Sequence, residues 1–225
     1  MATTPDLSTT PQADWVTERA RQVLRGKRTS LRTVAAPDYD FLYWLNSQPE
    51  MLIRWRYRGA TPNPDAFVAL LWKDVLAQFI IESTSSSQAV GLVSAYNPDL
   101  KNGTIYTSLQ VGQQPFNEPF AVEGYLLLLE YLFMNWPIRK VYAEALAFNI
   151  PQFGSALGRF FTEEGRLVSH EYFDGGFHDL VILALYRDQV EDPLRRLLRR
   201  DHLESVESGF PTYDDQPRRA RPEGD

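Results

Sequence analysis

The order of its segments places this 225-residue chain in the α/β (α+β) class. Three observations predict that class. Strand-like segments follow one another closely in the middle of the chain, segments with helical apolar spacing lie on either side of them, and a hairpin signal comes last. We expect a central mixed, mostly antiparallel sheet of six to seven strands, flanked by helices.

The first third of the chain predicts an extension, a strand and two helices. Residues 1–26 form an N-terminal extension, partly disordered because its start is rich in Thr, Ser and Pro, with a short helix over residues 13–24. Alternation of apolar and polar residues predicts a strand over residues 29–36. Pro37 then begins one helix, and Pro64 begins another that reaches about residue 77.

The middle of the chain predicts an antiparallel meander followed by a long helix. The strand signals are separated by a Ser-rich turn and by the turn "PDLKNG", and they lie at residues 78–84, 89–97 and 104–111. The loop "VGQQPFNEPF" comes next, and apolar spacing then predicts a helix over residues 120–135.

The C-terminal part predicts a strand over residues 138–146, a helix over residues 149–161 and a closing hairpin. The hairpin strands, residues 165–173 and 177–187, flank the turn Asp174-Gly175-Gly176. One domain is expected over residues 27–190, because a chain of this length suits a single domain with extensions. Residues 191–225 are expected to form an amphipathic helix and a disordered charged tail.

Composition excludes several classes of function. The formal net charge is −6, so non-specific nucleic-acid binding is not expected. The chain has no cysteine and three scattered histidines, which predicts no disulfide and no metal site and suits the cytoplasm. The longest apolar run, residues 124–136, is interrupted by polar residues and too short to span a bilayer, so no membrane partner is expected.

Motifs in the second half of the chain resemble the GCN5-related N-acetyltransferase superfamily. The segment "NIPQFGSALGRFFTEEGRLVSHEYFDGGFHDLVILALYR" follows the family pattern without a gap, and "AVEGYLLLLEYLF" resembles the family's helix after its phosphate loop. The resemblance covers about residues 27–187 and is nearest to the branch of ribosomal-protein N-terminal acetyltransferases. Its matching positions are Asn149, Phe161, Glu164-Gly165, Asp174-Gly175 and Asp179, with Glu123 in the helix.

The resemblance implies an acyltransferase that moves an acyl group, acetyl by default, from a CoA thioester to an amine acceptor. It also implies that the sheet splays between its fourth and fifth strands, residues 104–111 and 138–146. The donor would lie in that splay, its carbonyl on backbone N–H groups near Gln110 to Gly112 and its pyrophosphate at the helix N-terminus. The implied donor-binding residues are Gln110, Val111, Gly112, Gln114, Asn117, Glu118, Phe120 and Asn149.

Two departures separate this sequence from the family pattern. In the pyrophosphate loop, Asn117 and Pro119 stand where glycines are usual, and Glu118 adds a negative charge, so the loop is degenerate. Ala156 stands where many relatives carry a tyrosine that protonates the departing thiolate.

These departures leave several alternatives open. The donor could be an acyl-carrier protein or an aminoacyl-tRNA, which would suit a specialised biosynthetic pathway. The chain could also be a non-catalytic relative that binds a ligand through the same scaffold. Nucleic acid is otherwise not an expected partner. The acceptor could be a small molecule or a peptide amine, and a homodimer through the segment around Trp15 stays open.

Candidate residues for the chemistry lie on the predicted strands and in one basic segment. The catalytic candidates are Glu82, Tyr106, Ser108 and Glu144, because side chains bordering the splay could move protons. The acceptor-binding candidates are Arg54, Trp55, Arg56, Tyr57, His170 and Tyr172. For each strand residue the competing interpretation is an ordinary outward-facing side chain, and for the basic segment it is a solvated loop.

Overall fold

The computed structural model describes residues 22–48, 59–112 and 118–202. Within these ranges eight strands form one sheet, in the order β1-β2-β3-β4-β5-β6-β8-β7. The strands are β1 (Gln22–Arg25), β2 (Thr29–Thr33), β3 (Val75–Ser83), β4 (Ala89–Asp99), β5 (Thr104–Val111), β6 (Lys140–Leu146), β7 (Thr162–Phe173) and β8 (Gly176–Tyr186).

Four α-helices accompany the sheet in the described ranges: α1 (Tyr39–Asn46), α2 (Pro64–Leu71), α3 (Glu118–Asn135) and α4 (Arg187–His202). Short 3-10 helices cover Ala36–Asp38 and Ala147–Ala156. Helix α2 has a well-formed start, because the Asn63 side chain accepts a hydrogen bond from the Ala66 amide at 2.8 Å and Pro64 occupies the first turn.

One pair of neighbouring strands differs from all the others. Every adjacent pair is antiparallel except β5 and β6, which run parallel and pair only from Thr104–Tyr106 to Lys140–Tyr142. Beyond Tyr106, β5 stays paired with β4, while β6 stays paired with β8 as far as Leu146. The two strands therefore diverge, and the predicted mixed, mostly antiparallel sheet with a splay between these segments is confirmed.

Each face of the sheet packs against its own helices. We call the side covered by α3 and α4 the back face; there Ile81, Val93 and Val141 are fully buried against residues such as Leu127. We call the other side the front face. Its apolar part is smaller and joins Ile80 and Leu92 to buried side chains of α1 and α2.

Three predicted elements differ from the structure. The sequence predicts that residues 22–24 end a helix, but Gln22–Arg25 form the edge strand β1. This strand brings the sheet to eight strands. The rest of the predicted helix, residues 13–21, lies outside the described ranges. Helix α2 ends at Leu71 rather than near residue 77, because Asp74 adopts a left-handed conformation (φ 56) and β3 begins at Val75. The apolar run there contains no Gly or Pro, so periodicity alone could not locate this boundary.

The third difference lies after β6. Residues 149–161 do not form an α-helix, because Pro151 lacks an N–H donor and Gly154 breaks the helical path at φ 48 and ψ −128. The predicted hairpin is confirmed, with Asp174 and Gly175 both at positive φ in its turn. None of the helices in the described parts of the chain combines the length and hydropathy needed to cross a membrane.

Candidate active site at the splay of the sheet

The point where β5 and β6 separate is held by a short hydrogen-bond chain. The Thr107 hydroxyl lies 3.2 Å from the Tyr142 carbonyl oxygen and 2.8 Å from the Tyr125 hydroxyl. A carbonyl can only accept, so Thr107 donates to Tyr142 and accepts from Tyr125. Desolvation raises the pKa of Tyr125 to about 12, so this hydroxyl stays protonated and the chain persists across the neutral range.

Backbone amides of β5 point into the gap between the strands. The Gly112 amide donates to Val90 on β4 at 3.3 Å, and β4 and β5 keep a regular register from Tyr106 to Val111. Amides on a strand alternate in direction, so those of Gln110 and Gly112 face β4, whereas those of Leu109 and Val111 face β6. Within the expected segment Gln110 to Gly112, it is therefore the amide of Val111 that faces the gap.

On the front face, an aromatic row crosses the strands at the splay. Tyr106 is the register partner of both Tyr96 and Tyr142, and its ring centroid lies 5.8 Å and 5.2 Å from theirs. Desolvation, with smaller contributions from Glu144 and Tyr142, raises the pKa of Tyr106, which keeps its phenol in the proton-donating form. The exposed Glu144 follows Tyr142 by two residues on β6 and shares its face.

Above this row, buried amides link the sheet to the helices. The Gln110 side chain is 4% exposed and donates to Asn46 of α1 at 3.3 Å. On β3, the Gln78 side chain donates to the Leu71 carbonyl at 3.1 Å and accepts from Ser94 at 3.5 Å. Ser108, the register partner of Ser94, is partly buried between these amides and the aromatic row.

The sequence matches no family model. Among curated proteins, it is 27% identical over 121 residues to the SPbeta prophage-derived uncharacterized N-acetyltransferase YokL of Bacillus subtilis (strain 168), covering 54% of this chain and 67% of that protein. Spermidine N-acetyltransferase from Vibrio cholerae, solved with CoA and spermine, superposes with a TM-score of 0.61 at 18% identity, over 72% of this chain and 97% of its own. A probable GNAT-family acetyltransferase from Chromobacterium violaceum ATCC 12472 superposes with a TM-score of 0.60 at 22% identity, over 84% of this chain and 100% of its own.

The fold is that of the GCN5-related N-acetyltransferases. The predicted fold class is thereby confirmed, together with the superfamily resemblance at the level of structure. The narrower resemblance to the ribosomal-protein branch stays a prediction. So does the degenerate loop, because residues 113–117 lie outside the described ranges.

Within this acetyltransferase fold, Glu82 does not join the group at the splay. It lies on β3, where its carboxylate pairs with Arg32 at 2.5 Å. Arg32 also binds both oxygens of Asp38 at 2.8 Å, and Asp38 accepts the Ala35 amide at 2.8 Å. This network ties β2 and β3 to the turn that begins α1, and hydrogen bonds to Asp38 and Glu82 raise the pKa of Arg32.

His170 and Tyr172 lie on β7, at the far edge of the sheet from the splay. β8 separates this strand from β6. His170 is exposed beside Glu171 at 3.9 Å, and Tyr172 is 65% exposed with its ring 5.1 Å from Phe177. The structure does not bring either residue next to Tyr106 or Glu144.

The remaining predicted site residues divide between described and undescribed positions. Asn149 is partly buried in the 3-10 helix after β6, and Phe120 lies in the first turns of α3, where its carbonyl accepts from Thr29 at 3.4 Å. Glu118 begins α3, but its side chain is outside the described set. The others outside it are Arg54, Trp55, Arg56, Tyr57, Gln114 and Asn117.

One feature near α3 was missed by sequence reasoning. The Glu123 carboxylate accepts the backbone amides of Lys27 and Arg28 at 2.6 and 3.0 Å, which anchors the β1–β2 turn against the helix. At Gly26 an added Cβ would lie 2.4 Å from a Glu123 oxygen, so a larger residue there would displace the carboxylate. The contact spans 95 residues or more, and no local pattern indicates it; it places two exposed cations beside the first turns of α3.

A second ion pair lies at the closed end of the splay. Lys140 binds Glu164 at 2.6 Å, and the Tyr186 hydroxyl donates to the same carboxylate. The hydrogen bond from Lys140, followed by that from Tyr186, lowers the pKa of Glu164. Among the residues that the structure describes, no group of three or more His, Cys, Asp or Glu side chains is arranged to hold a metal ion.

Proposed function

We propose that this protein is an N-acyltransferase that transfers an acetyl group from acetyl-CoA to the primary amine of a small molecule. The observation that carries the proposal is the divergence of β5 and β6 after Tyr106, with the amide of Val111 directed into the gap. Such an amide suits a thioester carbonyl, because its N–H group is already oriented where negative charge develops.

The front-face side chains supply the remaining roles in this proposal. Glu144 takes a proton from the entering ammonium, and the neutral nitrogen then attacks the thioester carbon. A C–N bond forms, the C–S bond breaks with its electron pair on sulfur, and the nitrogen releases its second proton to solvent, which leaves a neutral amide. Tyr106 donates its proton to that thiolate, in place of the tyrosine replaced by Ala156, and recovers a proton from solvent.

Donor and acceptor are proposed from chemistry near the splay and from the relatives. Lys27 and Arg28 place positive charge beside the first turns of α3, which suits the phosphates of CoA. The Vibrio cholerae neighbour is named for spermidine and was solved with CoA and spermine. A small primary amine is therefore the acceptor we propose.

Release of free CoA thiol tests the proposal directly. The full chain is incubated with acetyl-CoA and, in turn, spermidine, spermine and a short peptide with a free N-terminus. We expect amine-dependent thiol release and a product heavier than the amine by one acetyl group. Failure of every amine to accelerate release, with a folded protein, would overturn the proposal and favour a non-catalytic binding role.

Val111→Pro sharpens this test. It removes the one amide proton directed into the gap at that position, whereas the ladder bonds to β4 come from its neighbours Gln110 and Gly112. We expect kcat/KM to fall about 100-fold, the cost of losing one oxyanion donor. Val122→Ala, at a 56% exposed position on α3, is the matched control and should retain full activity.

A further inference from the structure

One side-chain atom of Gln110 has no hydrogen-bond partner within the described part of the protein. Its Oε1 is the only buried side-chain oxygen or nitrogen, among the described residues, without a hydrogen-bond partner. The side chain is 4% exposed, so bulk water does not compensate for it. A buried acceptor without a donor is costly, and such atoms in native proteins usually meet a ligand or an ordered water.

The hydrogen bonds around Gln110 determine which of its two amide atoms is unpaired. Asn46 Nδ2 lies 2.8 Å from the Leu42 carbonyl, which can only accept, so Asn46 must present its nitrogen there and its oxygen to Gln110. Gln110 must then present Nε2 to Asn46, at 3.3 Å. The remaining atom is therefore a carbonyl oxygen, and it can be satisfied only by an N–H or O–H donor.

Two polar side chains of the described front face are engaged elsewhere. Ser94, on the same face, donates to Gln78, and Gln78 donates to Leu71. Two described cations of the front face are also paired: Arg32 binds Asp38 and Glu82, and Lys140 binds Glu164. None of the described residues supplies a donor to Gln110 Oε1, and a bound molecule with an N–H or O–H group could supply one.

We propose that Gln110 Oε1 binds the N–H of the acceptor ammonium and positions its nitrogen for attack. Gln110 lies between Leu109 and Val111, whose amides point into the gap, while its side chain stands on the front face. The ring faces of Tyr106 and Tyr142 and the carboxylate of Glu144 share that face and favour a cation. This inference rests on the proposed acyl transfer and assigns its acceptor: a primary amine that enters as an ammonium ion.

The first test uses two cations that differ in their N–H groups. In ¹⁵N-labelled protein, the side-chain amide signal of Gln110 is assigned by its loss in Gln110→Met, and that of Gln78 by its loss in Gln78→Met. Methylammonium should shift the Gln110 signal and leave Gln78 unmoved, whereas tetramethylammonium, which carries the same charge and no N–H, should move neither. A Gln110 signal that ignores both ions, or responds equally to both, overturns the inference.

The second test uses kinetics with spermidine and acetyl-CoA. Gln110→Met should raise KM for spermidine about 10- to 100-fold, the value of one hydrogen bond to a charged group, with KM for acetyl-CoA unchanged. Gln78→Met is the control, since Gln78 is equally buried but fully partnered; it should lower Tm without changing KM for spermidine. Equal effects of the two substitutions on KM would overturn the inference. Absence of acetyl transfer by wild type would instead overturn the proposed function, while the ion titration still decides whether Gln110 binds an N–H donor.

Discussion

Successive residues of β5 serve opposite faces of one sheet. Ile105 is fully buried on the back face, and Thr107 binds Tyr125 of α3 there, whereas Tyr106 and Ser108 point to the front. The back face of the central strands is mainly apolar and packs against α3 and α4. The front face beside the splay carries tyrosines, buried amides and a carboxylate, so the same strands contribute to the apolar core on one side and present polar groups on the other.

Residues that pack in the core and residues that border the candidate site are direct neighbours in the sequence of β5. Because the side-chain period of a strand is two, a single β-strand can place a packing residue and a chemical residue next to each other. The packing of the back face sets where β5 and β6 lie, and the two strands diverge after Tyr106. Substitutions should therefore separate cleanly into those that change stability and those that change rate.

The largest expected effect comes from the back face. Leu127 on α3 is fully buried there, so Leu127→Ala should lower the free energy of unfolding by about 3 kcal/mol through lost contacts and a cavity. Urea denaturation measures it, and kcat/KM per folded molecule should stay within about twofold of wild type. Val122→Ala on the same helix is the exposed control; equal losses from both would contradict the assignment of the core.

Glu144→Gln, unlike Leu127→Ala, should affect the reaction rate far more than the stability. Removing the proposed base should lower kcat/KM about 100-fold, with a much smaller effect on stability than Leu127→Ala because the side chain is exposed. Steady-state kinetics with acetyl-CoA and spermidine measure the rate. Glu163→Gln, an exposed carboxylate on β7, is the control, and a variant at Glu144 with full activity would exclude the residue as the base.

Tyr106→Phe should lower kcat about tenfold with little change in KM, because thiolate is a tolerable leaving group and the acid contributes modestly. The pKa of Tyr106 is raised above the ordinary tyrosine value of 10.0, so its hydroxyl loses its proton only at a pH above that value. Activity should therefore not decline at neutral pH through deprotonation of Tyr106. A pH–rate profile checks this. Tyr172→Phe, at a 65% exposed site on β7, should behave as wild type; a loss equal to that of Tyr106→Phe would place Tyr172 at the site.

The smallest expected effect is at the closed end of the splay. Glu164→Gln should cost about 1 kcal/mol of stability, since the pair with Lys140 is only partly buried. The pKa of Glu164 is lowered in the folded state, so its contribution is present above the unfolded value near 4.5 and is lost as pH falls through the folded pKa. The difference in Tm between variant and wild type should therefore shrink as the pH falls below 4.5; a constant difference would contradict the ion pair.

Local patterns predicted much of the fold. The meander and the Asp174-Gly175 hairpin depend on alternation and turn chemistry within a few residues, and both are confirmed. β1 was misread, because four residues are too few to establish a period and the strand exists through its pairing with β2. The helix expected after β6 failed at Pro151 and Gly154, where backbone chemistry overrides apolar spacing.

The candidate site was less accessible to sequence reasoning. Alternation places Tyr106 and Ser108 on one face of β5, but it cannot show that Glu82, on β3, is engaged by Arg32. The pairing of Gln110 with Asn46 spans 64 residues, and the anchoring of Lys27 by Glu123 spans 96. Contacts between residues so far apart in the sequence arise when helices pack on the sheet. They produce no periodic pattern in the sequence from which they could be predicted.

Calorimetric titration of the full chain with acetyl-CoA tests the central claim, that the gap between β5 and β6 binds a CoA thioester. We predict a dissociation constant in the micromolar range for wild type and for Val122→Ala, and weaker binding by Val111→Pro, whose amide donor in the gap is removed. No detectable heat from wild type, together with no rise in Tm at millimolar acetyl-CoA, would contradict the claim and direct attention to donors without CoA.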